Sequence, residues 1–261
     1  VIATFASISG HGPTESKDYY AAMCFAVTSD DMHNSTQPAG RPARPYGSWP
    51  SPITSDLLTR QNVRLGEPQI TASGSYWLES RPQELGRNVL MFQPFDGEAR
   101  EVLPGHVSVR TKAHEYGGGS YLATEHGVFY VNASDRRVYQ WNGDKDVALT
   151  PEGAFAYADF CLDAPRNRLI CVREDHQPQD RECINQLVTI GLASASLTRD
   201  ALDVGNNVEV LVSGHDFFSN PEVSPDGGQL SWLCWDHPHM PWDASECWLS
   251  PLNAQGLPGQ P

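Results

Sequence analysis

Residues 221–252, PEVSPDGGQLSWLCWDHPHMPWDASECWLSPL, have the pattern of one β-structural unit. The segment SPDGG at 224–228 is typical of a tight turn, because Pro presets φ and Gly accepts a positive φ. Apolar residues alternate through 230–235, which predicts a strand that is buried on one or both faces. A Pro-rich connection then leads to a second predicted strand over 246–252. The unit is therefore a turn, a strand, a loop and a strand.

Similar units occur earlier in the chain. Matching strands begin near positions 68, 119, 157 and 221, at intervals of about 51, 38 and 64 residues, and propeller blades usually take roughly 40–50. A β-propeller repeats such sheets radially and leaves only short, protected edges. The sequence therefore predicts an all-β fold. Its form is a partial, about four-bladed β-propeller of antiparallel four-stranded sheets with a mostly irregular N-terminal tail.

The composition is typical of a fold with many short strands, and the charge and hydropathy argue against nucleic-acid and membrane partners. The chain has 261 residues, of which 39% are hydrophobic, with 20 Pro and 22 Gly. Acidic residues outnumber basic ones by 32 to 18, giving a net charge of −14. Such a surface repels polyanions on average, so no nucleic-acid partner is expected. No apolar run approaches the roughly 18 residues that span a bilayer, so no membrane partner is expected either.

The cysteines and the N-terminus bear on the cell compartment. The six cysteines are spread without a CxxC pair, which is typical of a reducing compartment. Residues 1–44 show little pattern, and we expect a poorly ordered tail. An organelle-targeting leader is poor in acids, whereas this segment contains Glu15, Asp18, Asp30 and Asp31. A cytoplasmic location is expected, or the plastid stroma if the tail is a transit segment.

The sequence contains no recognisable catalytic centre. No serine lies in a G-x-S-x-G elbow, which serine hydrolases of the α/β type need. The Gly-rich segment 117–119 leads into a predicted strand rather than a helix, so it is not a phosphate-binding loop. No catalytic residue is assigned.

Two segments are candidates for substrate binding. HEYGGG at 114–119 fits either a connection between blades or a loop at the mouth of a channel, where Glu115 would face a cationic group. Four tryptophans in the last unit, at 232, 235, 242 and 248, suit core packing better than an aromatic cage. The predicted substrate-binding residues are His114, Glu115, Tyr116, Trp242 and Asp243.

The same unit contains five residues of metal-ligating type. The spacing C-x2-H-x-H-x7-C matches no common zinc pattern with paired ligand knuckles, and its first cysteine falls within a predicted strand. The sequence therefore predicts no metal and no cofactor. The five residues are Cys234, His237, His239, Asp243 and Cys247.

Several motifs resemble one enzyme family. PYGSWPSPITSDLL at 45–58, HEYGGGSY at 114–121, NRLICVREDH at 167–176 and the run from SPDG to HPHMPWD at 224–243 occur in this order. Together they resemble the acylaminoacyl-peptidase and dipeptidyl-aminopeptidase-like enzymes of the prolyl oligopeptidase family. In that family a short lead-in segment precedes a seven-bladed propeller. A C-terminal α/β-hydrolase domain then carries the Ser-Asp-His triad, and the propeller admits only short peptides.

The resemblance implies a domain division and a function. Residues 45–64 correspond to the lead-in segment and 65–261 to an incomplete propeller of about four blades, with the hydrolase domain absent from this chain. The parent protein is then expected to be a serine peptidase whose propeller gates the entry of peptide substrates. Unpaired strand edges at the break favour self-association. The alternatives are a free-standing binding module for a cationic peptide or protein, and a propeller glycosidase or lactonase.

Overall fold

The computed structural model describes residues 45–48, 51–55, 62–178, 182–192 and 204–259. The predicted tail, 1–44, lies outside the described residues, and the predicted lead-in segment lies only partly within them. The chain divides into two compact units, Val1–Leu58 and Thr59–Pro261. In the first unit the described residues are exposed, and the Ser48 amide donates a hydrogen bond of 3.1 Å to the Pro45 carbonyl, which closes a turn.

The described residues of the second unit form four antiparallel sheets, which we call blades 1 to 4 in chain order. In each blade, strands that are consecutive in the sequence are neighbours in the sheet. Blade 1 consists of β1 (Arg64–Thr71), β2 (Gly74–Arg81), β3 (Arg87–Pro94) and β4 (Arg100–Glu101). Blade 2 consists of β5 (Tyr121–Thr124), β6 (Gly127–Val131), β7 (Val138–Trp141) and β8 (Asp146–Ala148). Blade 3 consists of β9 (Phe155–Asp163), β10 (Arg168–Asp175), β11 (Ile184–Gly191) and β12 (Val208–Val212). Blade 4 has three strands in the described residues, β13 (Phe217–Val223), β14 (Gln229–Trp235) and β15 (Glu246–Pro251).

The first strands of successive blades lie next to one another. The Gln69 side chain in β1 donates to the Tyr121 carbonyl in β5 and accepts from the Ala123 amide, both at 2.9 Å. The Asp159 amide in β9 donates to the Gly119 carbonyl just before β5, also at 2.9 Å. Each blade thus presents its first strand to the common axis. The predicted all-β fold of four radially arranged antiparallel sheets is confirmed.

The hydrophobic core is divided among the interfaces between blades. One buried cluster lies between blades 1 and 2 and includes Leu90 and Tyr130. A second lies between blades 2 and 3 and includes Phe129 and Leu169. The third lies between blades 3 and 4, with Ile170, Leu187, Phe218, Leu230 and Trp232. Alternate residues of one strand face the two neighbouring blades, since successive side chains point to opposite sides of a sheet.

The turn that opens the last unit forms as its residue types require. The Gly227 amide donates to the Ser224 carbonyl at 2.8 Å, and Gly227 has a φ of 70°. The Asp226 carboxylate accepts from the Gly228 amide at 2.9 Å. β14 then follows with Leu230, Trp232 and Cys234 buried. Among the described residues, no helix is long and apolar enough to cross a bilayer.

Candidate functional site

The loop at residues 112–119, which precedes β5, has an unusual backbone. His114 and Glu115 have φ values of 55° and 62°, and Gly117 has 93°. Consecutive positive φ values at residues other than glycine are uncommon and strained, so tertiary contacts must hold them. The Glu115 amide donates to the Lys112 carbonyl at 3.0 Å, and the Gly117 amide to the Ala113 carbonyl at 2.8 Å. This backbone turns His114 inward and leaves Glu115 and Tyr116 exposed.

Gly118 and Gly119 of this loop allow a close approach to blade 3. The Gly119 amide donates to Asp159 Oδ1 at 2.6 Å, and a Cβ added at Gly118 would lie 2.8 Å from the same oxygen. Asp159 Oδ2 accepts from the Asn220 amide of β13 at 3.2 Å. One carboxylate therefore joins the first strands of blades 2, 3 and 4.

A second carboxylate joins blades 1 and 2 in the same way. Glu67 lies at a register shift in β1 with a φ of 49° and accepts from the Ser120 amide at 2.7 Å. The Ser120 hydroxyl also donates to it, at 2.9 Å. Burial raises the pKa of Glu67, and the bonds from Ser120 act in the opposite direction. We call the bonds of Glu67 and Asp159 the inter-blade ring.

His114 lies in a buried environment. Its side chain is 4% exposed, its amide donates to Glu174 Oε1 at 2.6 Å, and its Nδ1 lies 3.4 Å from that oxygen. Its ring is 5.8 Å from the ring of Trp235, which stacks on Phe217 at 5.3 Å. Phe217 in turn lies 5.0 Å from His237. This aromatic row of His114, Trp235, Phe217 and His237 joins the 112–119 loop to the 236–245 loop.

Glu174 is the centre of a cluster that the sequence analysis did not identify. Its carboxylate is buried at the end of β10, and Oε2 lies 3.0 Å from His176 Nε2. The ligating atoms of Glu174, His176 and Cys183 all lie within 4.8 Å of one another. Burial raises the pKa of the Cys183 thiol, and the negative charge of Glu174 adds to this.

The hairpin register accounts for this cluster. Glu174 pairs with Asn185 across β10 and β11, and continuing that register places position 183 opposite 176. Residues i and i+2 of a strand share a face, so Glu174 and His176 point the same way. The alternation in NRLICVREDH predicts that Glu174 and His176 share a face. The long connection to β11 prevents the sequence from showing that Cys183 pairs opposite them.

The other two predicted residues lie in the 236–245 loop. Trp242 is 75% exposed. The Asp243 carboxylate accepts from the Met240 amide at 3.3 Å, and the Asp243 amide donates to the Met240 carbonyl at 2.9 Å, so Asp243 closes a turn of its own loop. No hydrogen bond, ion pair or ring contact within the described residues joins either of them directly to His114, Glu115 or Tyr116.

The cysteines and tryptophans of the last unit have separate surroundings. Cys234 is buried in β14 and pairs with Glu246, whereas Cys247 pairs with Leu233 and is exposed, so the two thiols point to opposite faces. Trp232 is 2% exposed, and its ring lies 5.9 Å from that of Trp248. Cys234 and Cys247 are therefore not placed to share one metal ion, and the buried Trp232 packs in the core.

Two reciprocal ion pairs hold the 236–245 loop to residues 215–216. His237 Nδ1 lies 2.8 Å from Asp216 Oδ2, and His215 Nδ1 lies 2.8 Å from Asp236 Oδ2. The hydrogen bond to Asp216 raises the pKa of His237 above 6.5. Hydrogen bonds from the backbone amide and ring of His237 lower the pKa of Asp216 below 3.8. The His237 contribution is therefore complete below pH 6.5 and is lost as the pH rises through its folded-state pKa, while the Asp216 contribution is lost on acidification.

Replacing Asp216 with asparagine is expected to return the pKa of His237 toward its ordinary value, because the charged acceptor is removed. The ring-proton chemical shifts of His237, followed by NMR across neutral pH, measure this. Asp144→Asn, which changes a carboxyl in the exposed β7–β8 turn, serves as the matched control and leaves the titration in place. An unchanged His237 midpoint in Asp216→Asn would show that the pair does not form in solution.

The described parts of the four blades contain no assembled nucleophile and base. Between residues 62 and 259, as far as the structure describes them, no serine or cysteine side chain hydrogen-bonds to a histidine. Ser120 bonds to Glu67, and the Cys161 thiol lies 3.8 Å from Glu222. The geometry is that of a rigid platform with exposed loops.

Comparison with solved structures gives matches of the same architecture. A puromycin-hydrolyzing peptidase from Mycobacterium tuberculosis is 34% identical over 84% of this chain, with a TM-score of 0.73. Two structures of puromycin hydrolase, one of them a serine-to-alanine mutant complexed with PGG, are each 27% identical, with TM-scores of 0.72 and 0.71. No protein-family model and no curated protein matches the chain.

The fold and these neighbours show that the chain is a β-propeller of the kind found in peptidases. More specifically, it is similar to the propeller portion of prolyl-oligopeptidase-family peptidases, and the resemblance drawn from the sequence motifs is confirmed. The chain spans about a third of the length of these relatives, 35% of the first and 34% of the other two.

Proposed function

We propose that this chain is the propeller portion of a prolyl-oligopeptidase-family serine peptidase, and that it gates the access of short peptides to a hydrolase domain elsewhere in the same protein. The observation that carries this proposal is the 34% identity over 84% of the chain to a peptidase of which the matched part makes up only 35%. The hydrolase domain would perform nucleophilic attack through an acyl-enzyme with an oxyanion hole.

The inter-blade ring supports the gating role. Glu67 and Asp159 bond backbone amides of adjacent blades at distances of 2.6–3.2 Å. Bonds from amides to a carboxylate are stronger than neutral ones, so the first strands are held at fixed separations. A passage lined by such strands would stay narrow, admitting extended short peptides and excluding folded ones.

The exposed loops support a preference for substrates with a cationic end. Glu182 lies 3.9 Å from His237, which also contacts Asp216, so the carboxylates of two loops gather at His237, the end of the aromatic row. A set of like charges raises the local concentration of an oppositely charged group. The free α-amino group of a short peptide carries such a charge.

The test uses the protein encoded by the whole reading frame that contains this chain. A fluorophosphonate probe is expected to label one serine outside residues 1–261 and to leave the 261-residue chain unlabelled. The rate of hydrolysis is expected to fall steeply with peptide length, while puromycin, cleaved by the similar peptidases, is a suitable small substrate. Labelling of a serine within 1–261, or equal rates for short and long peptides, would contradict the proposal.

The second candidate is a binding module for a cationic peptide, which the same gathered carboxylates favour. In that case the reading frame would end without a hydrolase domain. A lysine-rich peptide would bind the 261-residue chain with an affinity that falls as salt rises. Weakening of that binding by Glu182→Gln, measured by fluorescence anisotropy, would favour this candidate.

A further inference from the structure

The cluster around the buried Glu174 has an unusual mixture of donor atoms. It combines a carboxylate oxygen, the imidazole nitrogen of His176 and the sulfur of Cys183, all within 4.8 Å of one another. These three residues belong neither to the inter-blade ring nor to the 236–245 loop. Within the described residues, no other set of three such groups comes as close together.

His114 provides a separate observation at the same place. Its side chain is 96% buried, and neither ring nitrogen has a hydrogen-bond partner among the described residues. A buried polar group without a partner costs about 1–3 kcal/mol, so such a group usually has a ligand. Nδ1 lies 3.4 Å from Glu174 Oε1, which directs the ring toward the cluster.

The types of donor atom select the ligand. Mg²⁺ and Ca²⁺ prefer sites made wholly of oxygen, whereas zinc binds thiolate, imidazole and carboxylate together, most often with four ligands in a tetrahedron. A divalent cation would also offset the charge of the buried carboxylate and favour the thiolate form of Cys183.

We propose that Glu174, His176 and Cys183 bind a zinc-type divalent cation, with His114, whose Nδ1 lies 3.4 Å from Glu174 Oε1, as the fourth ligand. The site joins the 112–119 loop of blade 2 to the β10–β11 hairpin of blade 3. Its role is to fix the strained backbone at His114 and so to position the exposed Glu115 and Tyr116.

The test measures metal binding by the 261-residue chain after treatment with a chelator and dialysis. One equivalent of Zn²⁺ is expected by isothermal titration calorimetry. Co²⁺ is expected to give a thiolate-to-cobalt charge-transfer band in the near ultraviolet and visible bands of tetrahedral intensity. Cys183→Ser is expected to abolish the charge-transfer band and to weaken Zn²⁺ binding at least about 10-fold, since losing even an outer partner of a ligand costs that much.

Matched variants test whether the metal binds at this site rather than at another cysteine. Cys247→Ser removes an exposed thiol of β15 that is distant in sequence and is expected to keep both the band and the affinity. His114→Ala is expected to keep the charge-transfer band but to lower the affinity, and circular dichroism checks that each variant is folded. The proposal is overturned if the wild-type chain binds no stoichiometric Zn²⁺, or if the cobalt spectrum lacks the thiolate band or keeps it in Cys183→Ser.

Discussion

Asp163→Ala is expected to lower the free energy of unfolding by about 3 kcal/mol, the lower end of the roughly 3–5 kcal/mol range for breaking a buried ion pair. The Asp163 carboxylate is fully buried at the end of β9. It accepts from Arg166 at 3.0 Å and from Arg168 at 2.8 Å. Without it, two largely buried guanidinium groups lose their counter-charge, although both keep carbonyl acceptors.

Two of the carbonyl acceptors lie in the turn after β15, so the destabilisation by Asp163→Ala should extend to blade 4. Arg168 donates to the Gly256 carbonyl at 2.6 Å, and Arg166 donates to the Asn253 carbonyl at 3.1 Å. Asp163 therefore orients two side chains that hold the turn after β15 against blade 3. The loss in Asp163→Ala should include this attachment, and Asp163→Asn, which keeps the shape but not the charge, should lose less.

Urea-induced unfolding followed by circular dichroism measures the difference. Asp96→Ala, which changes an exposed carboxyl in the β3–β4 turn, is the control and should stay within about 0.5 kcal/mol of the wild type. A loss in Asp163→Ala no larger than in this control would mean that the buried pair does not stabilise the fold.

The structure could be predicted from the sequence where local chemistry determines the backbone conformation. The SPDGG turn requires a fixed φ at Pro225 and a positive φ at Gly227, and the alternation after it matches a buried strand, so this part was predicted closely. The four predicted starting points lie within a few residues of the observed first strands, and blades 2, 3 and 4 begin after a bend or a Gly-rich segment.

The candidate site depends on contacts that residue patterns do not contain. His114 and Glu115 adopt positive φ values that their residue types disfavour, because Glu174, 60 positions away, holds the His114 amide. Phe217 and Trp235 join the site only because blade 4 packs on blade 3 and the 112–119 loop places His114 against them. The sequence identified the loop with His114, Glu115 and Tyr116, but long-range packing determines that His114 faces inward.

Trp232→Ala is expected to lower the free energy of unfolding by about 3–5 kcal/mol, as for other large aromatic residues truncated in a core. Trp232 is 2% exposed in β14 and belongs to the buried cluster between blades 3 and 4. Its partners there include Ile170 and Leu187 of blade 3. The indole fills the interface between these blades, so its removal leaves a cavity that the surrounding sheets fill only partly.

Trp232→Phe should lose less than half as much, for two reasons. Phenylalanine keeps most of the apolar contact, and it removes an indole N–H that is buried with no hydrogen-bond partner among the described residues. Deleting an unpaired buried donor recovers part of its desolvation cost. The order Ala, Phe, wild type in increasing stability is therefore expected in urea-induced unfolding.

Trp242→Ala is the matched control, because this tryptophan is 75% exposed in the next loop and should change the stability by no more than about 0.5 kcal/mol. The comparison tests the radial arrangement itself, since in a propeller the last blade is stabilised by packing against the one before it. If Trp232→Ala and Trp242→Ala were equally mild, blade 4 would not be packed on blade 3 in solution. The inter-blade ring would then lose its link from Asp159 to Asn220, and with it the fixed passage on which the gating proposal depends.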